Sequence, residues 1–165
     1  MRKLKLLLEA DWNTKRLLVE TYFQLAWARY LKSVPFSTVA PSLGANMKET
    51  TFDRPSSEDQ RVLAAVSQSV HIMSKYTFWE SQCLVKAMAA MKMLEKRNIE
   101  STLYLGTGKD ENGKLIAHAW LRSGPFYITG AEVMNQFTVV GKFAKTLGRE
   151  QRSEKNESKF SESSS

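Results

Sequence analysis

The chain has 165 residues, is 42% hydrophobic and carries a formal net charge of +7, with one cysteine and two histidines. This length predicts one domain over residues 1–148, made of a helical front segment (1–56) and a core (57–148), followed by a polar, disordered tail (149–165). The single cysteine excludes an internal disulfide, and the separated histidines lack metal-ligand spacing, so we expect no metal and no cofactor.

The hydropathy pattern indicates in which compartment the protein is expected. No stretch approaches the roughly 20 consecutive apolar residues that a transmembrane segment needs. The apolar run near the start of the chain is ended by Glu9 and Asp11, which argues against a signal peptide. We therefore expect a cytoplasmic protein. Its basic surface would attract an acidic peptide, an anionic membrane face or nucleic acid without choosing among them.

The first two predicted helices are amphipathic. One runs from Asn13, a plausible cap, to Lys32, and its apolar residues recur at helical spacing: Leu18, Tyr22, Leu25 and Ala26. A break at 33–36, a short segment closed by Gly44 and a polar connector over 46–56 follow. Ser57 and Gln60 form a capping box that predicts a second helix, with its buried face at Val62, Val66, Val70 and Met73.

A third helix is predicted over 82–97, with Asn98 as a stop and a buried stripe at Leu84, Ala87, Met88, Met91 and Leu94. Strands follow at 102–105, 115–122 and 126–129, with a possible fourth at 137–140, and Asn112 and Gly113 give a strong hairpin-turn signal. The predicted fold class is therefore α+β, with N-terminal helices and then a cysteine-bearing helix packed on an antiparallel sheet.

The lone cysteine occupies a chemically favoured position. Cys83 lies in the first turn of the third helix, where unpaired amide groups and the helix dipole favour the thiolate. His118 lies in the best predicted strand, and Ile116 and Trp120 share its face. If the third helix packs on that face, His118 meets the thiol, as nucleophilic catalysis requires. Trp120 and Trp79 then become candidate substrate-binding residues.

Short motifs in order along the chain resemble one family. They are ARYL (28–31), VPF (34–36), APSLG (40–44), CLVKA (83–87), LG (105–106), AHAW (117–120) and FTVV (137–140). Together they resemble the transglutaminase-like, papain-like cysteine proteases, and specifically the leader peptidases of lasso-peptide biosynthesis in the microcin-processing protein family. The resemblance implies a cytoplasmic hydrolase of antibiotic biosynthesis that matures a ribosomally made precursor peptide.

The resemblance also implies site residues. The thiolate of Cys83 would attack the scissile carbonyl at the leader–core junction, and His118 would act as general acid and base. The family usually carries an aspartate about twelve residues after the histidine, where this chain has Gly130. Glu132 is the candidate third member, with Asn135 as an alternative. A backbone carbonyl can also orient the ring. The Cys83 amide, and secondarily Gln82, are the expected oxyanion donors.

The resemblance further implies partners: the lasso precursor peptide and an asparagine-synthetase-like, ATP-dependent macrocyclase, with no nucleic acid. The residues before Cys83 lack the alternating strands of a leader-binding module. We therefore expect a split form with a separate leader-recognition protein, and the helix over 13–32 is its candidate docking surface.

Two other classes of function stay open. The same fold supports an acyltransferase or amidase, because an amine can resolve a thioester as water does. The chain would instead be a non-catalytic scaffold of a peptide-modifying complex if Cys83 were only a core residue.

Overall fold

A computed structural model describes residues 11–77 and 82–146. Trp79, the apolar run near the start and the expected tail lie outside the described residues. The helices are α1 (Trp12–Leu31), α2 (Phe36–Val39), α3 (Ser57–Met73) and α4 (Cys83–Glu95), with 3₁₀ segments at Ala40–Leu43 and Ala131–Gln136. No helix within 11–77 or 82–146 has both the length and the apolar character needed to cross a membrane.

The strands are β1 (Ala45–Asn46), β2 (Ser101–Lys109), β3 (Leu115–Ser123), β4 (Phe126–Thr129) and β5 (Thr138–Lys145). They form one antiparallel five-stranded sheet in the order β1-β5-β2-β3-β4. The predicted α+β class is confirmed. β1 was not predicted, and β5 extends well past the predicted 137–140.

Both predicted N-terminal caps were wrong by one or two residues. Asp11 caps α1, because its carboxylate accepts the amide hydrogens of Asn13 and Thr14. Ser56 caps α3 by accepting from the amide of Asp59. In each case an equally good capping side chain stood just before the one chosen. Asn98 does mark the end of α4, since it adopts φ 55° three residues after Glu95.

The core lies between one face of the sheet and the helices. α4 is its centre, packed between the sheet below and α1 and α3 on its other sides. Its buried surface is therefore wider than the predicted stripe and also includes Val85, Ala89, Ala90 and Met93. α1 buries Leu18, Thr21, Gln24, Leu25 and Ala28, whereas the predicted Tyr22 and Ala26 are only partly buried.

The connector over 46–56 packs against the other face of the sheet, around a buried arginine. The guanidinium of Arg122 is 1% exposed and donates to the carbonyl oxygens of Thr50 (2.9 Å) and Thr51 (3.1 Å), and its Nε donates to Tyr104 Oη (2.9 Å). Burial, together with the hydrogen bond to Glu49, raises the pKa of Tyr104 to about 12. These bonds hold the connector in place and satisfy a cation that would be costly to bury alone.

Candidate active site

A cleft of about 490 Å³ opens between α3, the start of α4 and the segment after β4. Cys83 and His118 both line it, so the structure brings the two principal candidate residues to one cavity. The other residues that line it come from the same walls: Ala64, Ser67, Gln68, Val70, His71, Lys86, Ile128, Thr129, Gly130 and Glu132.

Cys83 is the first residue of α4 and its thiol is free and half-buried. Gln82 is the N-cap of α4, but its side chain makes no capping hydrogen bond. The amide hydrogens of the first helical turn are therefore not bonded by the Gln82 side chain. The Gln82 amide oxygen instead contacts the ammonium of Lys32 at the end of α1. Gln82 does not line the cleft.

His118 reaches this cleft from an unexpected face of β3. The condition stated above, that α4 packs on the face of Ile116, His118 and Trp120, is not met: Ala119 and Leu121, on the opposite face, join the core around α4. β4 pairs with β3 only from Leu121 onward, so within 11–77 and 82–146 no strand pairs with that edge of β3 at His118. The imidazole can therefore line the cleft at the edge of the sheet, although its strand face points away from α4.

The imidazole is held by a backbone carbonyl. His118 Nε2 lies 2.7 Å from the carbonyl oxygen of Gly130, which can only accept, so Nε2 carries the hydrogen. In the neutral ring, Nδ1 is then the unprotonated nitrogen. The thiol and the imidazole do not hydrogen-bond to each other directly.

Gly130 makes this contact possible because it has no side chain. Its φ of 75° is left-handed, and a Cβ at this position would lie 2.5 Å from the carbonyl oxygen of Ala119 and 3.0 Å from Trp120 Cβ. This is the position at which the resembling family carries an aspartate. The side chain is absent here, and the main chain supplies an oxygen to the same ring.

Two aromatic rings support the imidazole. The His118 ring centroid lies 4.9 Å from that of Phe137 and 5.9 Å from that of Trp120. Trp120 is 5% exposed and also stacks on Tyr104, at 5.6 Å and an interplanar angle of 8°. Trp120 does not line the cleft and packs against the candidate base.

The remaining candidate residues differ in whether they line the cleft. Glu132 lines the cleft but is exposed and makes no hydrogen bond to His118. Asn135 is exposed and does not line it. His71 lines the cleft and contacts Lys75 Nζ at 2.9 Å. Within the described parts of the chain, no cluster of three or more His, Cys, Asp or Glu residues could hold a metal ion.

A model of the transglutaminase-like superfamily matches residues 25–142, which include the cleft and most of the sheet. The chain therefore belongs to the transglutaminase-like superfamily. Members of this superfamily are commonly cysteine proteases or transferases. Comparison with curated proteins found no match, and comparison with solved structures found none.

Proposed function

We propose that this protein is a cysteine peptidase that removes the leader from a ribosomally made lasso-peptide precursor. The observation that carries the proposal is the meeting of Cys83 and His118 in one cleft, with the imidazole oriented by the Gly130 carbonyl. Membership of the superfamily supports thiol chemistry. The ordered motifs that resemble the leader peptidases support the substrate class.

The chemistry follows from the protonation pattern of the site. With Nε2–H engaged by Gly130, Nδ1 takes the proton of the Cys83 thiol and returns it to the leaving amine. Sγ bonds to the scissile carbonyl carbon and the C–N bond breaks, which leaves the leader as a thioester and the core peptide with a free amine. Water, deprotonated by Nδ1, then hydrolyses the thioester. Sγ leaves as the thiolate.

The developing oxyanion needs preorganised donors. The Cys83 amide lies in the first helical turn, where no intrahelical acceptor exists, and the helix dipole favours negative charge there. Since the Gln82 oxygen is engaged by Lys32 and its side chain lies outside the cleft, we assign the oxyanion contact to the Cys83 backbone.

The third catalytic position is proposed to be the Gly130 carbonyl. Among the described residues, Glu132 and Asn135 make no hydrogen bond with the ring, so Glu132→Gln and Asn135→Ala should each slow turnover less than His118→Ala does. A loss from either variant as complete as that from His118→Ala would identify it as the orienting residue and overturn the carbonyl assignment.

The thiol itself can be tested before any substrate is identified. The chain has one cysteine, so intact-mass spectrometry follows its alkylation by iodoacetamide without ambiguity. We expect native Cys83 to react faster in the wild type than in His118→Ala, because the imidazole draws off its proton. A thiol that is inert until the protein is unfolded in urea would instead support the scaffold alternative.

The proposal includes a separate leader-recognition protein, and the outer surface of α1 is the proposed docking site. Four large apolar side chains there are exposed: Trp12 (74%), Val19 (57%), Phe23 (64%) and Tyr30 (68%). Their spacings of seven, four and seven residues place them on one line along the helix, opposite its buried face. Such a continuous exposed stripe is typical of an interaction surface.

The charges beside this stripe favour an acidic partner. Lys15, Arg16 and Arg29 lie on α1, whereas the carboxylate of Glu20 is already bound by both terminal nitrogens of Arg97 (3.0 and 2.6 Å). Two copies of this basic helix would repel each other. We therefore propose that an apolar surface with acidic flanks, on the leader-recognition protein, covers the stripe.

Docking is tested by precursor cleavage with and without the separately encoded leader-recognition protein at low micromolar concentration. We expect the partner to accelerate cleavage, and Phe23→Glu to remove that acceleration while the partner-free rate stays unchanged. Leu115→Glu is the control, because Leu115 is 69% exposed on the sheet, away from α1. Unchanged stimulation of Phe23→Glu, or no stimulation of the wild type, would overturn the docking proposal.

A further inference from the structure

Lys86 has an unusual environment beside the candidate nucleophile. It follows Cys83 by three residues on α4, so the two side chains project from the same side of the helix, and both line the cleft. Lys86 is half-buried. Its side chain is therefore partly enclosed by the cavity that holds the thiol.

The other half-buried lysines of α4 and the sheet have carboxylate partners. Lys92 pairs with Glu95 at 2.8 Å, Lys145 pairs with the same glutamate at 3.0 Å, and Lys142 pairs with Glu49 at 3.3 Å. The Lys86 backbone amide donates to the Gln82 carbonyl oxygen (3.0 Å), but its ammonium makes no hydrogen bond or ion pair with any residue in 11–77 or 82–146. Because partial burial of a cation without an acceptor is unfavourable, this position favours an anion that comes from outside the fold.

The charges around the cleft are polarised. The helical walls carry Lys86 and also His71, whose ring contacts Lys75 Nζ. The carboxylate among the described cleft residues is Glu132, which lies on the opposite wall after β4 and makes no ion pair with Lys86. A peptide bound between the walls thus meets the Lys86 ammonium on the side of the nucleophile.

We propose that Lys86 is the centre of a carboxylate-binding subsite beside Cys83, and that the peptide substrate presents an acidic side chain to it near the scissile bond. The inference rests on the proposed peptidase function and names a substrate feature that this function leaves open. An internal cut leaves no chain terminus at the site, so the carboxylate belongs to an aspartate or glutamate. A charged ammonium–carboxylate contact would fix the register of the peptide in the cleft.

Two alkylating reagents of similar size test the subsite. Iodoacetate carries a carboxylate and iodoacetamide is neutral, and in both reactions Sγ displaces iodide and forms an S–C bond. We expect the ratio of the iodoacetate rate to the iodoacetamide rate to be about fivefold higher in the native protein than in urea. Lys86→Met should return the ratio to the value in urea. Lys92→Met, on the same helix but outside the cleft, should leave it unchanged.

A ratio that Lys86→Met does not lower would overturn the subsite while leaving the peptidase proposal intact, since iodoacetamide would still react. Native protein that resists both reagents would contradict the peptidase function itself. Circular dichroism verifies that both methionine variants are folded.

The source of the carboxylate is tested by protection of Cys83 from iodoacetamide. Acetyl-Gly-Asp-Gly-amide presents only a side-chain carboxylate, and acetyl-Gly-Gly-Gly with a free C-terminus presents only a terminal one. We expect the aspartyl peptide to protect the wild type and not Lys86→Met. Protection by the second peptide alone would overturn the assignment to an acidic side chain.

Discussion

Replacement of Gly130 by alanine tests whether the orientation of His118 depends on the main chain. A non-glycine residue in the left-handed region costs about 1–2 kcal/mol. The new Cβ would also lie 2.5 Å from the Ala119 carbonyl oxygen and 3.0 Å from Trp120 Cβ, where the neighbouring atoms belong to a strand and cannot simply rotate away. Overpacking of this kind costs about 1–3 kcal/mol more.

Gly113 provides a matched control. It lies in the hairpin turn between β2 and β3 with φ 73°, nearly the same as Gly130, but a Cβ there would meet no atom within 4 Å. Gly113→Ala should therefore cost only the conformational part. Both variants lose the same unfolded-chain entropy, so the difference between them isolates the crowding at Gly130, about 1–3 kcal/mol in the free energy of unfolding.

The assays are urea denaturation followed by circular dichroism and, under conditions where each variant is folded, the rate of Cys83 alkylation by iodoacetamide. We expect Gly130→Ala to be less stable than Gly113→Ala and also slower to alkylate, because the displaced carbonyl no longer fixes His118 Nε2. Equal stability of the two variants, or a wild-type alkylation rate in folded Gly130→Ala, would refute the reasoning.

Three further outcomes are expected. Cys83→Ala should abolish precursor cleavage while the melting temperature changes little, since the half-buried thiol adds little volume. Trp120→Phe should lower kcat more than it raises KM, because it loosens the ring contact without opening a large cavity. The hydrogen bond from Arg97 lowers the pKa of Glu20 from its ordinary 4.5, so this pair stabilises the fold fully above pH 4.5 and loses that effect as the pH falls through the lowered value. Glu20→Gln should thus destabilise the protein at pH 7 more than at pH 3, as measured by urea midpoints.

The order of helices and strands was predictable because apolar spacing follows the local backbone period. Two details of the sheet were not. β1 has only two residues, too few to show a period. β5 continues through Gly141 and Lys142 to Phe143 and Ala144, and its polar and apolar positions blur the alternation that defines a strand.

The face of β3 that meets α4 could not be predicted from the sequence, for a physical reason. Both faces of the strand carry apolar residues, Trp120 on one and Leu121 on the other, so alternation alone cannot assign the core side. The deciding interactions are long-range. Arg122 is hydrogen-bonded to the connector, which therefore covers the face of the sheet that carries Arg122. Leu121, on the opposite face, packs against the helices.

The sequence also identified Cys83 and His118 as candidates, but it could not place the group that holds the imidazole. A carbonyl oxygen exists at every residue, and only the left-handed turn at Gly130 brings this one to the ring. The one signal was a glycine where the resembling family has an aspartate. The environment of Lys86 could not be predicted for a similar reason. Whether its ammonium has a carboxylate partner depends on where Glu132 and the other acidic residues lie in space.

The proposed reaction is hydrolysis of a peptide bond by Cys83 with the help of His118. The most direct measurement is intact-mass spectrometry of a precursor encoded beside this gene after incubation with the protein. Hydrolysis predicts two fragments whose masses together equal the precursor plus one water, and no fragments with Cys83→Ala. Equal cleavage by Cys83→Ala would contradict the claim. Release of the core together with a leader fragment joined to an amine, with the mass of the leader acid plus the amine minus one water, would replace hydrolysis with acyl transfer.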